Sequence, residues 1–314
     1  MEDFKLNDFF KQHNLVKVAW YYYIEGITQQ EIADIMGVSR MKINKMLDEA
    51  RQKNIIQFFI PVAARNKLEL EKELINMFNL QDAFVVPVST DNNMNEALGK
   101  AAAIYVNNML QTNSYINMGY GDTLHHFISY LSSITDKPVS VVSLTGGIDP
   151  YLPTKNSYNF NVNLNLIPAP LFMNSKESAD NILLEKSVQE VFELSELSSI
   201  TITGVGEVSN NSTIVKTGIL TTNEVKKMQV QGAVADILMH FIDKDGNLIE
   251  SEIEDRVVSR KLDTLKNMKN VIAVAGGESK TNAILAALKT GIFKVLITSE
   301  EDAKKIIERS KNDE

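Results

Sequence analysis

At 314 residues, 44% hydrophobic and 23% charged, the chain has the composition of a globular protein and the length for one large or two ordinary cores. It contains no cysteine, which excludes disulfides and thiolate metal sites, and its net charge of −8 argues against nonspecific coating of nucleic acid. The start MEDFKLNDFF lacks the pattern of a secretory signal, and no apolar run approaches the ~20 residues of a membrane span, so the expected location is cytoplasmic, with no membrane partner.

The charge is unevenly spread. Residues 1–60 hold eight Lys/Arg and eight Asp/Glu, so the whole deficit lies in residues 61–314. Within Ser39–Lys53 five basic residues face two acidic ones, a local basic face that suits a small DNA-contacting module. Residues 14–24 predict an aromatic-rich helix packed across the next two. Thr28 with Glu31 three residues on is a capping box, opening a helix that buries Ile32, Ala33 and Met36. Gly37 supplies a turn, and Ser39 caps a second helix with Ile43, Met46 and Leu47 inward. Ala33 has to be small because the helices cross there. This is a helix-turn-helix register, in which the second helix enters the major groove. The expected contact set is Thr28, Gln29, Ser39, Arg40, Met41, Lys42, Asn44, Lys45 and Arg51. Arg and Lys favour guanine edges and Asn adenine, whereas Arg51 is placed for phosphate.

Downstream, IIQFFIPV (55–62) reads as a short wing or connecting strand. A linker helix over 61–80 follows, with Leu70, Leu74, Met77 and Phe78 on one face, a stripe able to pair with its twin in a dimer. From residue 81 to 314 short apolar runs alternate with helical patterns. Strands are expected at 83–88, 115–121, 139–144, 199–205, 271–276 and 293–298, and helices at 95–111, 122–134, 178–194, 256–268, 279–290 and 300–309. Continuous apolar strands between helices imply an α/β fold with a mostly parallel sheet covered on both faces.

The stretch VIAVAGGESKT (271–281) looks like a phosphate-cradling loop. A Walker A loop, G-x-x-x-x-G-K-[ST], requires glycine where Val274 and Ser279 stand, so a nucleotide-hydrolysing loop is excluded. What survives is a helix start that offers amide donors to an anion, with Lys280 beside it. Glycine turns recur after other expected strands, in GYGDT (119–123), LTGGI (144–148) and GVGEV (204–208). Together they predict a concave polar site in which the Thr123 and Thr145 hydroxyls, the backbone amides of these turns (Gly121, Gly146 and Gly147 among them) and Lys280 are donors, with Asp122 at a helix start and Asp236 either a carboxylate for sugar hydroxyls or a capping or turn residue. No motif calls for a metal or a cofactor, and His13, His125, His126 and His240 form no catalytic signature.

The motifs YYIEGITQQEIADIMGVSRMKINKMLDEAR, GYGDTL, LTGGI, PAPLFM, GAVADILMHFIDKDGN and VAGGESKTNAILAALKTGIFKVLIT together resemble the SorC/DeoR-type bacterial transcriptional regulators along nearly the whole chain. The resemblance implies a helix-turn-helix DNA-binding domain and an effector domain similar to sugar-phosphate isomerases and deaminases. It further implies a homodimer or homotetramer on double-stranded operator DNA and a small effector: a sugar, sugar phosphate, polyol or organic acid. Some members carry a Schiff-base lysine where this chain has Thr145, which excludes covalent capture there. Asp122 stands where many members have a basic or neutral residue, and a carboxylate beside an anion loop repels phosphate. The runner-up reading is a phosphosugar isomerase or deaminase, which needs a positioned general base.

Overall fold

Thr28 shows how local chemistry builds the first unit. In the computed structural model, which describes residues 2–56, 61–87, 93–147 and 162–312, its hydroxyl accepts from the Glu31 amide while the Glu31 carboxylate accepts from the Thr28 amide. This capping box opens α2 (Gln29–Met36), which follows α1 (Glu2–Tyr23). Gly37 ends α2 with φ 65°, the left-handed backbone that glycine adopts without steric cost. Ser39 then caps α3 (Arg40–Gln52) by accepting from the Lys42 amide. Val18 of α1, Ile32 and Ala33 of α2, and Ile43 and Leu47 of α3 close one buried cluster, with Met36 and Met46 at its margin. The result is a helix-turn-helix with α1 packed across both helices.

Met1–Ala64 and Arg65–Glu314 form two compact units. Of the β-rich run expected at 55–62, residues 57–60 lie outside the described residues, and Val62 already begins α4 (Val62–Phe78). The stripe on α4 is used within the chain rather than left for a twin. Leu74 is fully buried, and Leu70, Met77 and Phe78 pack against the same core cluster of the larger unit.

In chain order the larger unit then runs β1 (Asp82–Val86), α5 (Met94–Met109), β2 (Ser114–Met118), α6 (Asp122–Ile134), β3 (Val139–Ser143) and β4 (Val162–Asn165). It continues with α7 (Lys176–Leu184), α8 (Lys186–Glu196), β5 (Ile200–Gly204), β6 (Gly206–Glu207), α9 (Thr213–Lys216) and α10 (Thr222–Val230). The last stretch is β7 (Ala235–Ile237), β8 (His240–Ile242), α11 (Leu262–Lys266), β9 (Val271–Val274), α12 (Thr281–Lys289), β10 (Val295–Ser299) and α13 (Glu300–Asn312). Seven strands form a parallel sheet in the order β1-β10-β9-β5-β2-β3-β4, and β6-β7-β8 form a small antiparallel one.

Strand alternation sorts the two sides of the parallel sheet. Ile272 and Val274 of β9 pack with Leu98, Ala102, Phe127 and Leu131 of α5 and α6. Val271 and Ala273 pack with α11, α12, α13 and α4 instead. Helices therefore cover both faces, the arrangement that near-continuous apolar strands require.

Two expected helices are corrected. The one at 178–194 breaks at Glu185, whose extended ψ of 136° separates α7 from α8. The one at 256–268 keeps only α11 and a 3-10 turn at Glu254–Arg256. Between them the β-branched Val257 and its neighbours run extended, with Val257 bridging Phe172 and Ser259 bridging Thr145. No described helix is long and apolar enough to cross a membrane.

Leu74→Ala is expected to destabilise the larger unit by about 2–5 kcal/mol, the range for emptying a fully buried leucine site. Denaturant unfolding of the full chain checks it, and a loss within about 0.5 kcal/mol would show that α4 is not anchored in that core.

Candidate functional site

The first face to consider lies on α3. Arg40, Met41, Lys42, Asn44 and Lys45 are all exposed, and Met41 keeps 70% of its surface open. An exposed methionine among cations suits apolar contact with a thymine methyl. Gln29 reaches from α2 to donate to Asn44 Oδ1 at 3.4 Å, so the two amides are placed side by side. Thr28 and Ser39 spend their hydroxyls on the caps. Arg51 is tied inward: its Nε donates to the Tyr23 hydroxyl at 3.0 Å and its guanidinium pairs with Asp48 at 3.3 Å. It braces α3 against α1, which limits its freedom to reach a phosphate.

The second candidate is a narrow cleft in the larger unit, with an accessible volume of about 50 Å³. From β2 the chain steps outward to β3 and β4, and from β5 it steps the other way to β9 and β10. The boundary between β2 and β5 is thus a topological switch point, where open parallel sheets bind ligands beyond the strand carboxyl ends. Tyr120, Gly121 and Asp122 follow β2, and Gly204, Val205 and Gly206 carry the chain from the end of β5 into β6; all six line the cleft. Asp236, Leu238 and Met239 from the small sheet and Lys280 from the β9–α12 turn complete it.

Asp236 governs the chemistry. It is 6% exposed, and its β7 backbone pairs with Gly206 of β6. A Cβ on Gly206 would meet Asp236 Oδ1 at 1.8 Å, so only glycine leaves room for the carboxylate. Burial pushes Asp236 up to about 6, against the amide of Met239, which donates to it, and the positive potential of Lys280 and His240. Burial likewise pulls the Lys280 ammonium below the ordinary lysine range, while Asp236, Glu207, Asp122 and Asp302 pull the other way.

At the cleft rim Asn95 Nδ2 donates to Asp122 Oδ2 at 2.8 Å, and Thr123 Oγ1 donates to Asn95 Oδ1 at 3.2 Å. Asp122 is the first residue of α6, where a carboxylate interacts favourably with the helix dipole. The site therefore offers two carboxylates, one ammonium, an amide and a hydroxyl above an apolar wall. That set can hydrogen-bond several hydroxyls of one small molecule.

Five of the eight expected effector residues, Gly121, Asp122, Thr123, Asp236 and Lys280, come together here. Thr145, Gly146 and Gly147 do not line this cleft. Thr145 is fully buried, the Gly146 amide donates to Val258 O at 2.8 Å, and the Gly147 amide donates to Ala169 O at 2.9 Å. A Cβ at Gly146 would strike Pro170 O at 2.4 Å, so this turn's glycine serves close backbone packing. The β9–α12 turn is also corrected. Its Gly277 amide donates to Asp302 Oδ2 at 2.7 Å, and Thr281 Oγ1 donates to Asp302 Oδ1 at 3.3 Å. An internal carboxylate takes these donors, leaving Lys280 as the turn's contribution to the cleft. Asn95 and Thr213 come from elements far in sequence from the glycine turns and carried no signal, whereas Tyr120 lies inside GYGDT and Leu238 and Met239 lie beside Asp236. Gly206, likewise, was visible inside GVGEV.

No described histidine lines the cleft. His240 is buried, with Nδ1 against the Glu254 carboxylate at 2.8 Å and Nε2 3.0 Å from Arg260 O. His126 Nε2 lies 3.8 Å from Asp122 Oδ1.

Residues 63–308 match the family model described as "Putative sugar-binding domain", and residues 17–53 match that of sigma-70 region 4, itself a helix-turn-helix. The transcriptional regulator LsrR of Enterobacter sp. (strain 638) is 32% identical over 297 residues, spanning 93% of this chain and 92% of that protein. LsrR of Escherichia coli (strain K12) is 31% identical over 301 residues, 95% of each chain. Among solved structures, the full-length sorbitol operon regulator SorC from Klebsiella pneumoniae matches with TM-score 0.67 at 21% identity, covering 94% of this chain and 98% of that one. A DeoR family transcriptional regulator from Listeria monocytogenes gives TM-score 0.68 at 24% identity, covering 76% and 99%. At those identities the structures speak for the fold. The named sequence relatives are regulators, which removes the support for a phosphosugar enzyme.

Because burial raises Asp236, the folded state holds its proton more tightly than the unfolded chain does. The stability this confers is complete below about pH 4 and is lost as pH rises through about 6, leaving a penalty on the order of 3 kcal/mol on the charged form. Asp236→Asn keeps an acceptor for the Met239 amide and removes the charge. Its melting temperature relative to the wild type is expected to climb between about pH 4 and pH 6 and to level off above about pH 7. Melting curves across that range check it; a difference independent of pH would mean that Asp236 is not the titrating group.

Proposed function

The chain belongs to the SorC/DeoR-type transcriptional regulators built on a sugar-binding domain, and from that premise we propose that it senses a small polyhydroxylated metabolite in the Asp236–Lys280 cleft and converts binding into a change of operator affinity. The observation that carries this reading is the convergence of Asp236, Lys280, Asp122, Thr123 and Asn95 at the switch point of the parallel sheet. Hydroxyls of the effector donate to the two carboxylates, and Lys280 and Asn95 donate back. Those bonds stabilise the charged form of Asp236, which the empty cleft penalises. A sugar, a sugar phosphate, a polyol and an organic acid all carry the necessary groups.

The DNA partner is double-stranded operator. Arg40, Met41, Lys42, Asn44 and Lys45 form the base-reading face, with Gln29 in support, and Thr28, Ser39 and Arg51 fix the geometry of that face. On this reading residues 1–60 are the DNA-binding domain, 61–80 the linker helix and 81–314 the effector and assembly domain of a cytoplasmic homodimer or homotetramer. Two copies supply two recognition helices, and effector binding shifts the population of arrangements in which both reach their half-sites.

The two faces separate under mutation. Arg40→Ala is expected to weaken operator binding by about 10- to 100-fold, the value of one good base contact, and to leave the effector's thermal shift intact. Lys280→Ala is expected to preserve operator binding and abolish the response. Gel shifts on DNA upstream of the protein's own gene, with and without effectors found in a thermal-shift screen, read both. A Lys280→Ala variant that still responds normally would sink the placement of the cleft.

A further inference from the structure

We propose that Met239 sets which effector the cleft accepts, by walling it against the effector's carbon skeleton; this rests on the reading of the cleft as the effector site. Leu238 and Met239 are the two residues that turn the chain from β7 into β8, with φ of 54° and 67°. Two-residue hairpins with left-handed backbone at both central positions are of type I′ and are ordinarily built from pairs such as Asn-Gly. A bulky L-residue there costs about 1–2 kcal/mol. Such strain persists where the surroundings over-determine it, and it collects at ligand clamps.

The two side chains have different tasks. Leu238 is buried in the core cluster that includes Ala273 and Ile284, and its Cδ2 lies 2.7 Å from where a Cβ on Gly119 would stand. It plugs the end of β2 and lines the cleft from there, held by the core of the parallel sheet rather than by the small sheet. Met239 belongs to the separate cluster of the small sheet, with Phe241, Ile214 and Met228, and forms part of the cleft surface as well. Its amide donates to the Asp236 carboxylate. The wall and the hydroxyl-reading carboxylate are thereby fixed to one another by a single turn. Where Asp236 reads hydroxyls, the unbranched thioether beside it limits the length and bulk of the carbons that carry them.

The test uses the full chain and thermal shift with ribose 5-phosphate, fructose 6-phosphate, D-sorbitol and inorganic phosphate. Met239→Ala shortens the wall and is expected to change the ratio of affinities for five- and six-carbon probes by about tenfold, the scale of a methylene-level pocket change. The ligand-free operator affinity is expected to stay as in the wild type. Met239→Leu conserves volume and keeps the variant folded should the alanine fail; its branching is expected to move the same ratio by a smaller factor. A wild type that responds while both variants keep its ratio shows Met239 to be packing alone and overturns the proposal. A wild type that responds to none of the probes overturns the sugar-type reading of the cleft, and the proposal with it.

Discussion

A carboxylate buried against a neighbouring strand is the constraint around which the larger unit is arranged. Asp236 sits on β7 directly across from Gly206, in space that any side chain at position 206 would occupy. A buried charge requires compensation, and the fold supplies it from two directions: the Met239 amide from the same hairpin and the potential of Lys280 from the β9–α12 turn. Lys280 can be there because the β9–α12 turn is braced by Asp302 at the start of α13. The position of one carboxylate thus depends on a glycine, a strained turn, a lysine and a second carboxylate. Moving any of them changes the cleft before it changes the core.

The β9–α12 turn illustrates how the same loop chemistry can serve two ends. Glycine, a helix start and a lysine are the ingredients of an anion cradle, and the Gly277 amide does bind an anion. The anion is the protein's own. Asp302 also accepts from Ser299 Oγ, which in turn accepts from the Asp302 amide, so the start of α13 and the β9–α12 turn are fastened together. An internal carboxylate makes the turn rigid, and rigidity is what a lysine needs to stand at a fixed place in a cleft.

How much was legible in the sequence follows the range of the interactions involved. The helix-turn-helix was readable almost residue by residue, because Thr28 with Glu31, Gly37 and Ser39 each act within four residues of themselves. Six of the seven parallel strands were readable because runs such as Val271–Val274 are apolar on both faces, whereas the edge strand β4, Val-Asn-Leu-Asn, is half polar and was not. The small sheet was not: two- and three-residue strands carry no period, and β7 and β8 exist through their pairing with each other and with Gly206. LTGGI was indistinguishable from GYGDT as a pattern. What separates them is tertiary, since Thr145 and Gly146 are claimed by Ser259 and Val258 more than a hundred residues away. The apolar stripe of α4 was likewise visible, while its partner was not, because a periodic stripe specifies burial without specifying against what.

The energetics of Asp236 bear on what kind of switch this architecture can be. A ligand moves an equilibrium only by its differential affinity for the two states. Hydroxyls that solvate Asp236 remove a burial penalty on the order of 3 kcal/mol, a factor of about a hundred. If that relief is confined to one arrangement of the oligomer, it carries a population from about one in ten to about ten to one, short of the ~10⁴-fold required to run from 1:99 to 99:1. A complete switch therefore draws on further contacts that differ between the two arrangements. The apolar wall at Met239 is positioned to provide them, because it shares a turn with the carboxylate and a core with the small sheet. A ligand that satisfies the carboxylate without filling the wall should then act as a partial effector, and discrimination among similar sugars becomes a property of the switch as well as of binding.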